Sequence, residues 1–216
     1  MPGAPRGDED RRTEAAFAAL SRRACPPLGE VLFAVTAAWR PANWGELDAQ
    51  LDQLARPLFA AGPGGRERAG VLAELLVATF RHEARAVDGL WLDEVLAGRR
   101  GHPVLIAVVA TELGRRAGWD ITVCSSPAAW YAGLHDAGVL WLIDPTGETS
   151  GSRAPATVRR HCAHEIAFVV LTGLAERFAR THDQAQARSL REKLALFSAP
   201  EHPGPALLGA LWTEDD

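Results

Sequence analysis

The chain has 216 residues, of which 47% are hydrophobic and 23% charged, which is typical of an ordinary globular protein of one domain, or of one domain with an appendage. Its formal net charge of −4 provides no basic field to hold nucleic acid, and no apolar run reaches the roughly 18 residues that would span a bilayer. Three cysteines without a CxxC pair predict reduced thiols, and therefore a cytoplasmic protein.

The first half of the chain is predicted to be helical. Residues 1–14 are rich in proline, glycine and charge and lack an apolar h-region, so we expect a disordered leader rather than a signal peptide. Asn43 is a candidate N-cap for the helix that begins at Trp44. Apolar residues recur at helical spacing in five segments, namely Glu14–Ala24, Leu28–Trp39, Trp44–Phe59, Glu67–Ala84 and Leu90–Leu96.

A central helix and a small sheet are predicted next. Val104–Ala117 is apolar on nearly every side, as expected of a helix buried at the centre of a fold. Asp144-Pro-Thr-Gly147 predicts a turn after the last strand. Three short segments rich in β-branched or aromatic residues predict a small antiparallel sheet with one tight hairpin, namely Asp120–Cys124, Ala129–Leu134 and Val139–Ile143.

The C-terminal part of the chain predicts a helical hairpin. Its two helices are expected over Pro155–Ala179 and Asp183–Phe197. The predicted fold class is therefore α+β, with a helix-rich core, a small antiparallel sheet and a C-terminal helical hairpin. The domain boundaries that we expect are a leader at 1–14, a core with an N-terminal helical bundle at 15–152, the hairpin at 153–200 and a tail at 201–216.

The order of these elements resembles the transglutaminase-like branch of the papain-type superfamily. More narrowly, it resembles the SirB-type proteins, whose tail is a tetratricopeptide-like hairpin. The resemblance covers about residues 28 to 200 and implies a transglutaminase-like fold for the core. The motifs that carry it are Leu90–Leu96, Arg99-Arg-Gly-His-Pro103, Gly114-Arg-Arg-Ala-Gly118, Pro127-Ala-Ala-Trp130, Leu142-Ile-Asp-Pro145, Leu171–Phe178 and Ala185–Phe197.

The resemblance also assigns the positions of a catalytic triad. In active members of the superfamily, a cysteine opens the buried helix, where the helix dipole favours its thiolate; a histidine and an aspartate lie on the next two strands. The corresponding positions here are Pro103, Ala129 and Asp144. Proline suits a first helical position but has no nucleophile, and alanine can neither carry a proton nor bind a metal. Only Asp144 keeps its residue type, and a turn before proline explains it without catalysis.

Three other residues could replace the missing catalytic groups in a rebuilt site around Asp144, namely His102, His135 and Cys124. Each also has a structural interpretation, as a loop or N-cap histidine, a histidine at a hairpin tip and a small buried strand residue. His161, His164 and Glu165 would share one face of a helix like a set of metal ligands, but no partner at matching spacing occurs elsewhere. We therefore predict no metal and no cofactor.

The predicted function is that of a non-catalytic transglutaminase-like protein. It would bind a protein or peptide partner, or a small molecule in the former catalytic cleft, and neither nucleic acid nor a membrane. The alternative is an enzyme of peptide or amide chemistry, by acyl transfer or hydrolysis, rebuilt around Asp144 in the same cleft. A third alternative, a purely structural subunit, predicts a large exposed apolar patch on the hairpin. The aromatic residues that could line the cleft are Trp130, Tyr131 and Trp141.

Overall fold

The computed structural model describes residues 8–24, 26–82, 90–127, 129–146, 152–154, 157–181 and 183–197. The described residues form two compact units. One contains the described parts of 8–42 and 163–197, and the other contains the described parts of 43–162. Helices combine with a small antiparallel sheet and a C-terminal helical region, so the predicted α+β fold class is confirmed.

The described helices, in chain order, are α1 (Asp8–Ser21), α2 (Leu28–Ala37), α3 (Trp44–Ala55), α4 (Gly65–Thr79), α5 (Leu92–Gly98), α6 (Pro103–Arg116), α7 (Ala163–Arg180) and α8 (Gln184–Phe197). A 3-10 helix, Arg56–Ala60, follows α3 directly. The described strands are β1 (Arg81–His82), β2 (Arg100–Gly101), β3 (Ile121–Ser125), β4 (Trp130–Asp136), β5 (Val139–Ile143), β6 (Ser152–Arg153) and β7 (Arg159–His161).

The first unit consists of α1, α2, α7 and α8. α7 and α8 pack against each other, α2 packs on α7, and α1 packs on α2 and α8. The Phe17 ring is buried and meets the Trp39 ring edge-on at a centroid distance of 6.4 Å. Nζ of Lys193 lies 5.6 Å from the centroid of Phe17, within the range of a cation–π contact. Lys193 of α8 therefore joins α8 to the aromatic pair of Phe17 and Trp39.

The first two helices are grouped differently from the sequence-based domain boundaries. The sequence placed residues from 15 onward in the core, whereas contacts group α1 and α2 with α7 and α8. α1 begins at Asp8, inside the segment 1–14 that was expected to be a leader. Nε2 of His164 lies 3.0 Å from the carbonyl oxygen of Ser21, so a buried hydrogen bond also ties the start of α7 to the end of α1.

The second unit is built on a five-stranded sheet. Its strand order is β6-β5-β4-β3-β7, and every neighbouring pair is antiparallel. Ile121, Leu134 and Trp141 lie side by side across β3, β4 and β5 and therefore share one face. A Cβ atom on Gly114 of α6 would lie 2.8 Å from Ile121, and one on Gly65 of α4 would lie 2.7 Å from Trp141. Both helices thus cover the same face of the sheet.

The central helix predicted from the sequence is confirmed as α6. All of its residues from Val104 to Gly114 are buried. Its C-terminal Arg116 forms ion pairs with Asp48 and Asp52 of α3, which raise the pKa of the guanidinium despite its partial burial. No helix in the described part of the chain is both long and apolar enough to cross a membrane.

The helix predicted over Pro155–Ala179 is wrong in its first part. Pro155 lies outside the described residues, and Arg159–His161 forms β7, which pairs with Ser125–Val123 of β3. Helix α7 begins only at Ala163. The local spacing of apolar residues favoured a helix, but the hydrogen bonds that decide the conformation of β7 come from a strand far away in the sequence.

The start of α4 depends on a side chain from the sheet. Gly64, the residue before α4, has no side chain to cap the helix, and Oδ2 of Asp136 instead accepts a hydrogen bond of 2.8 Å from the amide of Gly65. The carboxylate also lies at the positive end of the helix dipole. Asp136 thereby fastens α4 to the β4–β5 hairpin.

We predict that Asp136→Ala lowers the free energy of unfolding by about 1 kcal/mol, because the first amide of α4 loses its acceptor. Asp120→Ala is the matched control, since the Asp120 side chain is exposed and only its backbone carbonyl, which accepts from the His135 amide, is used in the sheet. Chemical denaturation followed by circular dichroism measures both. Equal stabilities of the two variants would contradict the capping role.

Candidate functional site

Pro103, the nucleophile position predicted from the resemblance, lies where β2 leads into α6. β2 pairs in parallel with β1, and the amide of Arg81 donates a hydrogen bond of 2.8 Å to the carbonyl of Arg99 just before β2. His102 follows β2 in an extended conformation and is the N-cap residue of α6. Pro103 is the first helical residue, as predicted, and its fixed φ suits that position.

The backbone amides at this end of α6 are all occupied or absent. Pro103 has no N–H, and the amide of Val104 donates to Nδ1 of His102 at 3.2 Å. The amides of Leu105 and Ile106 donate to the carbonyl oxygen of His102 at 2.9 and 3.2 Å. A helix N-terminus normally offers such donors to an anion. The first turn of α6 offers none.

His102 is buried rather than solvated, with 7% of its surface exposed. Burial lowers its pKa from 6.5 to about 4, because the imidazolium form would lose its hydration. The ring is therefore neutral at pH 7. Since Nδ1 accepts the hydrogen bond from Val104, the single ring proton lies on Nε2, and neither nitrogen is poised to take a proton from a substrate.

The other two triad positions flank one end of the β4–β5 pair. β4 begins at Trp130, directly after Ala129, and the antiparallel β5 ends at Ile143, directly before Asp144. Ala129 closes a tight turn, because its carbonyl accepts from the amide of Ser126 at 2.9 Å and its amide donates to the Ser126 hydroxyl at 3.2 Å. The predicted histidine position, Ala129, and the predicted aspartate position, Asp144, therefore lie at the same end of the sheet.

Helix α6 packs on β3 and β4, with its C-terminal part at the start of β3. The C-terminal part of α6 is at Ile121, the first residue of β3, because Gly114 lies close to that side chain. The helix packs along β3 and β4, and a helix of this length extends about 20 Å.

Asp144 is buried and acts within its own turn. Only 5% of its surface is exposed, and its Oδ1 accepts hydrogen bonds from the amide of Thr146 at 2.8 Å and from the hydroxyl of Thr146 at 2.7 Å. This is an aspartate turn, in which the side chain replaces a backbone acceptor. The arrangement matches the structural interpretation of Asp144.

His135, one of the candidates for a rebuilt site, lies away from the predicted triad positions. His135 is the sixth residue of β4, opposite Leu140, which puts it about 20 Å along the strand from Ala129. It is not in the turn itself, which is formed by Ala137 and Gly138 with positive φ. Nε2 of His135 lies 3.2 Å from Nη1 of Arg160 on β7.

Cys124 is a buried thiol with no exposed surface. Its neighbours along β3 place it on the opposite face of the sheet from α6, against Gly133, where an added Cβ would lie 2.6 Å from its sulfur. Burial raises the pKa of the thiol to about 11, although the charge of Arg160 opposes this. Cys124 is therefore protonated at neutral pH and behaves as a small apolar residue.

The three aromatic residues predicted to line a cleft do not share one surface. Trp130 is 3% exposed and faces α6, because it lies on the same face as Leu134. Tyr131 is on the opposite face by strand alternation and is half-buried. Trp141 is half-buried and lies against the start of α4 at Gly65.

A polar pair beside Trp130 was missed by the sequence analysis. Oγ of Ser125 lies 2.7 Å from Nε2 of His161, and the His161 ring lies 5.1 Å from the Trp130 ring. The sequence had placed His161 on one helix face with His164 and Glu165, which is wrong because His161 is on β7 and His164 is on α7. No group of three or more metal-ligating side chains occurs among the described residues.

We predict that the stability of the wild-type protein falls as pH drops from 6.5 toward 4. The folded pKa of His102 lies below the unfolded value, so protons bind preferentially to the unfolded chain, and the contribution present above pH 6.5 is lost by pH 4. Its size is about 3 kcal/mol. His102→Asn keeps an N-cap acceptor without a titrating group and should flatten this part of the profile.

The matched control for this prediction is His82→Asn, because His82 is exposed. Urea denaturation at a series of pH values gives the free energy of unfolding of each variant. The assignment of His102 as a neutral cap is contradicted if His102→Asn and His82→Asn both retain the full wild-type pH dependence.

Comparison with known proteins identifies the superfamily of the chain. A family model described as the transglutaminase-like superfamily matches residues 45–188. No curated protein sequence matches the chain. Among solved structures, the crystal structure of menin, described as revealing the binding site for Mixed Lineage Leukemia (MLL) protein, is similar with a TM-score of 0.58 at 12% sequence identity. The match covers 95% of this chain and 61% of the menin chain, so the chain spans about three fifths of that relative.

At that identity, the likeness to menin shows the fold alone. The family model, in contrast, matches two thirds of the residues, including α6, β3, β4 and β5. The SirB-type branch and the tetratricopeptide-like hairpin stay predictions. The superfamily predicted from the sequence is confirmed: the chain belongs to the transglutaminase-like superfamily.

Proposed function

We propose that this member of the transglutaminase-like superfamily is non-catalytic and acts as a protein- or ligand-binding module. The observation that carries the proposal is the first turn of α6. Pro103 supplies neither a side-chain nucleophile nor a backbone N–H, and the next amide, that of Val104, is already bonded to His102. The first turn of α6 therefore has no nucleophile to attack a carbonyl, and it has no free backbone N–H to stabilise the oxyanion that such an attack would form.

Proton transfer is impaired in the same way. Ala129 replaces the histidine of the family, and His102 is neutral with its proton on Nε2. Cys124 is a protonated thiol on the far face of the sheet, and His135 lies at the hairpin end of β4. General base catalysis needs a group within hydrogen-bond reach of the proton that it removes. These positions favour binding over amide chemistry.

The similarity to menin supports a binding role. The description of that structure names a binding site for the Mixed Lineage Leukemia (MLL) protein, so a chain of this fold can carry a site for another protein. Here the partner would be a protein or peptide, with the α7–α8 hairpin, in the manner of the SirB-type branch and of tetratricopeptide-like units, as a second surface. The buried thiol of Cys124 forms no disulfide, which fits action in the cytoplasm.

The rival function is an amide-cleaving or amide-forming enzyme rebuilt around Asp144. Its carboxylate would then be needed as a charged group. In the non-catalytic account, the same side chain needs only an acceptor oxygen for Thr146. A substitution that removes the negative charge of Asp144 but keeps an acceptor oxygen for Thr146 therefore distinguishes the two functions.

We predict that Asp144→Ala lowers the free energy of unfolding by about 2 kcal/mol, because two buried hydrogen bonds are lost. Asp144→Asn, which keeps an oxygen acceptor, should cost less than half of that. Turnover is measured by mass spectrometry as ammonia release from, and amine incorporation into, glutamine-containing peptides. Neither variant should differ from the wild-type protein in this turnover. Asp120→Asn, at an exposed aspartate, is the matched control.

The decisive contrary outcome is a wild-type turnover that Asp120→Asn retains and a folded Asp144→Asn protein lacks. It would assign a catalytic role to the carboxylate and would make the rival function the correct one.

A further inference from the structure

Arg99 has an unusual backbone conformation at the end of α5. Its φ of 54° and ψ of 31° lie in the left-handed region, which carries a steric cost for every residue that has a Cβ atom. Gly98 precedes it, yet the left-handed position is taken by the arginine. The hydrogen bond from the Arg81 amide to the Arg99 carbonyl holds this conformation in place. Such local strain is concentrated at functional positions in proteins.

The Arg99 side chain is held against a buried ring with one donor unsatisfied. Its guanidinium carbon lies 5.6 Å from the centroid of Phe80, which is 4% exposed. Its Nη1 atom is buried and has no hydrogen-bond acceptor in the described part of the chain. Buried donors in folded proteins are almost always paired, so Nη1 of Arg99 is open to an acceptor from beyond the described residues.

The surroundings of Arg99 favour a negatively charged acceptor. Arg81 and Arg100 are directly opposite each other in the β1–β2 pair, so their exposed side chains leave the same side of it. His82 is exposed and, two residues after Phe80 in the extended chain, lies on the same side as Phe80. Arg81 and Arg100 thus place two positively charged side chains on one side of this pair of short strands.

A carboxylate is a suitable acceptor for this donor. The planar guanidinium of arginine forms paired hydrogen bonds with carboxylates, which are the anionic side chains that an unmodified protein partner offers. The end of α6 nearby cannot take the anion, because its amides are occupied. We propose that Arg99 binds a side-chain carboxylate of an acidic segment in a protein partner, with Arg81 and Arg100 attracting that segment.

This proposal rests on the proposed binding function and specifies its partner chemistry. A fluorescein-labelled glutamate-rich peptide is the probe, and fluorescence anisotropy gives its dissociation constant for the full-length protein. A peptide of equal length with glutamine in place of glutamate is the uncharged control. We expect binding of the glutamate peptide only, weakening as the salt concentration rises from about 50 to about 300 mM.

The matched variants are Arg99→Gln and Arg188→Gln, which remove the same charge; Arg188 is exposed on α8. Arg99→Gln should raise the dissociation constant about tenfold, as expected for a lost charged hydrogen bond, and Arg188→Gln should leave it within about twofold. Arg99→Gly, which accepts the left-handed backbone, should fold and show the same loss as Arg99→Gln.

The proposal is overturned if the glutamate peptide does not bind, if the glutamine peptide binds equally, or if the two arginine variants weaken binding equally. Tighter binding of a single-stranded oligonucleotide at the same salt concentration would also overturn it. A turnover that depends on Asp144 would contradict the proposed function instead, and it would leave the peptide measurement standing.

Discussion

The hydrogen bond from the Val104 amide to Nδ1 of His102 decides what the front of α6 can bind. In a transglutaminase-like fold this helix end is the place where a thiolate and an oxyanion would be stabilised by unused amides and by the helix dipole. Here one amide is missing at Pro103 and the next is bonded internally. Because the cap is buried, water does not compete for it, and the imidazole stays neutral. Pro103 and the cap from His102 together leave the first turn of α6 without a side-chain nucleophile and without an unused amide.

Much of this end of the fold could be predicted from the sequence. An apolar segment preceded by His-Pro and followed by alternating strands predicts a buried helix with proline at its first position, and the structure has that helix as α6. The Asp-Pro turn after β5 was also predictable, because a turn aspartate acts through neighbours in the sequence, here Thr146. Local hydrogen bonds produce local patterns, and patterns of this kind can be recognised without a structure.

Features created by long-range pairing could not be predicted in the same way. β7 has only three residues, and its conformation comes from its pairing with β3, so Arg159–His161 has no alternating pattern of its own. The contact of His161 with Ser125 follows from that register and joins residues separated by 36 positions. The burial of His102 was likewise invisible, since a polar residue beside glycine and proline is usually solvated. Packing of distant elements, rather than composition, sets its pKa.

The direct test of the closed helix end is the tautomer of His102, measured from the ¹⁵N chemical shifts of its ring at neutral pH. Our account predicts a neutral imidazole with the proton on Nε2 and with Nδ1 shifted as a hydrogen-bond acceptor. A charged imidazolium, or a proton on Nδ1, would leave the Val104 amide available to an oxyanion and would contradict the central claim.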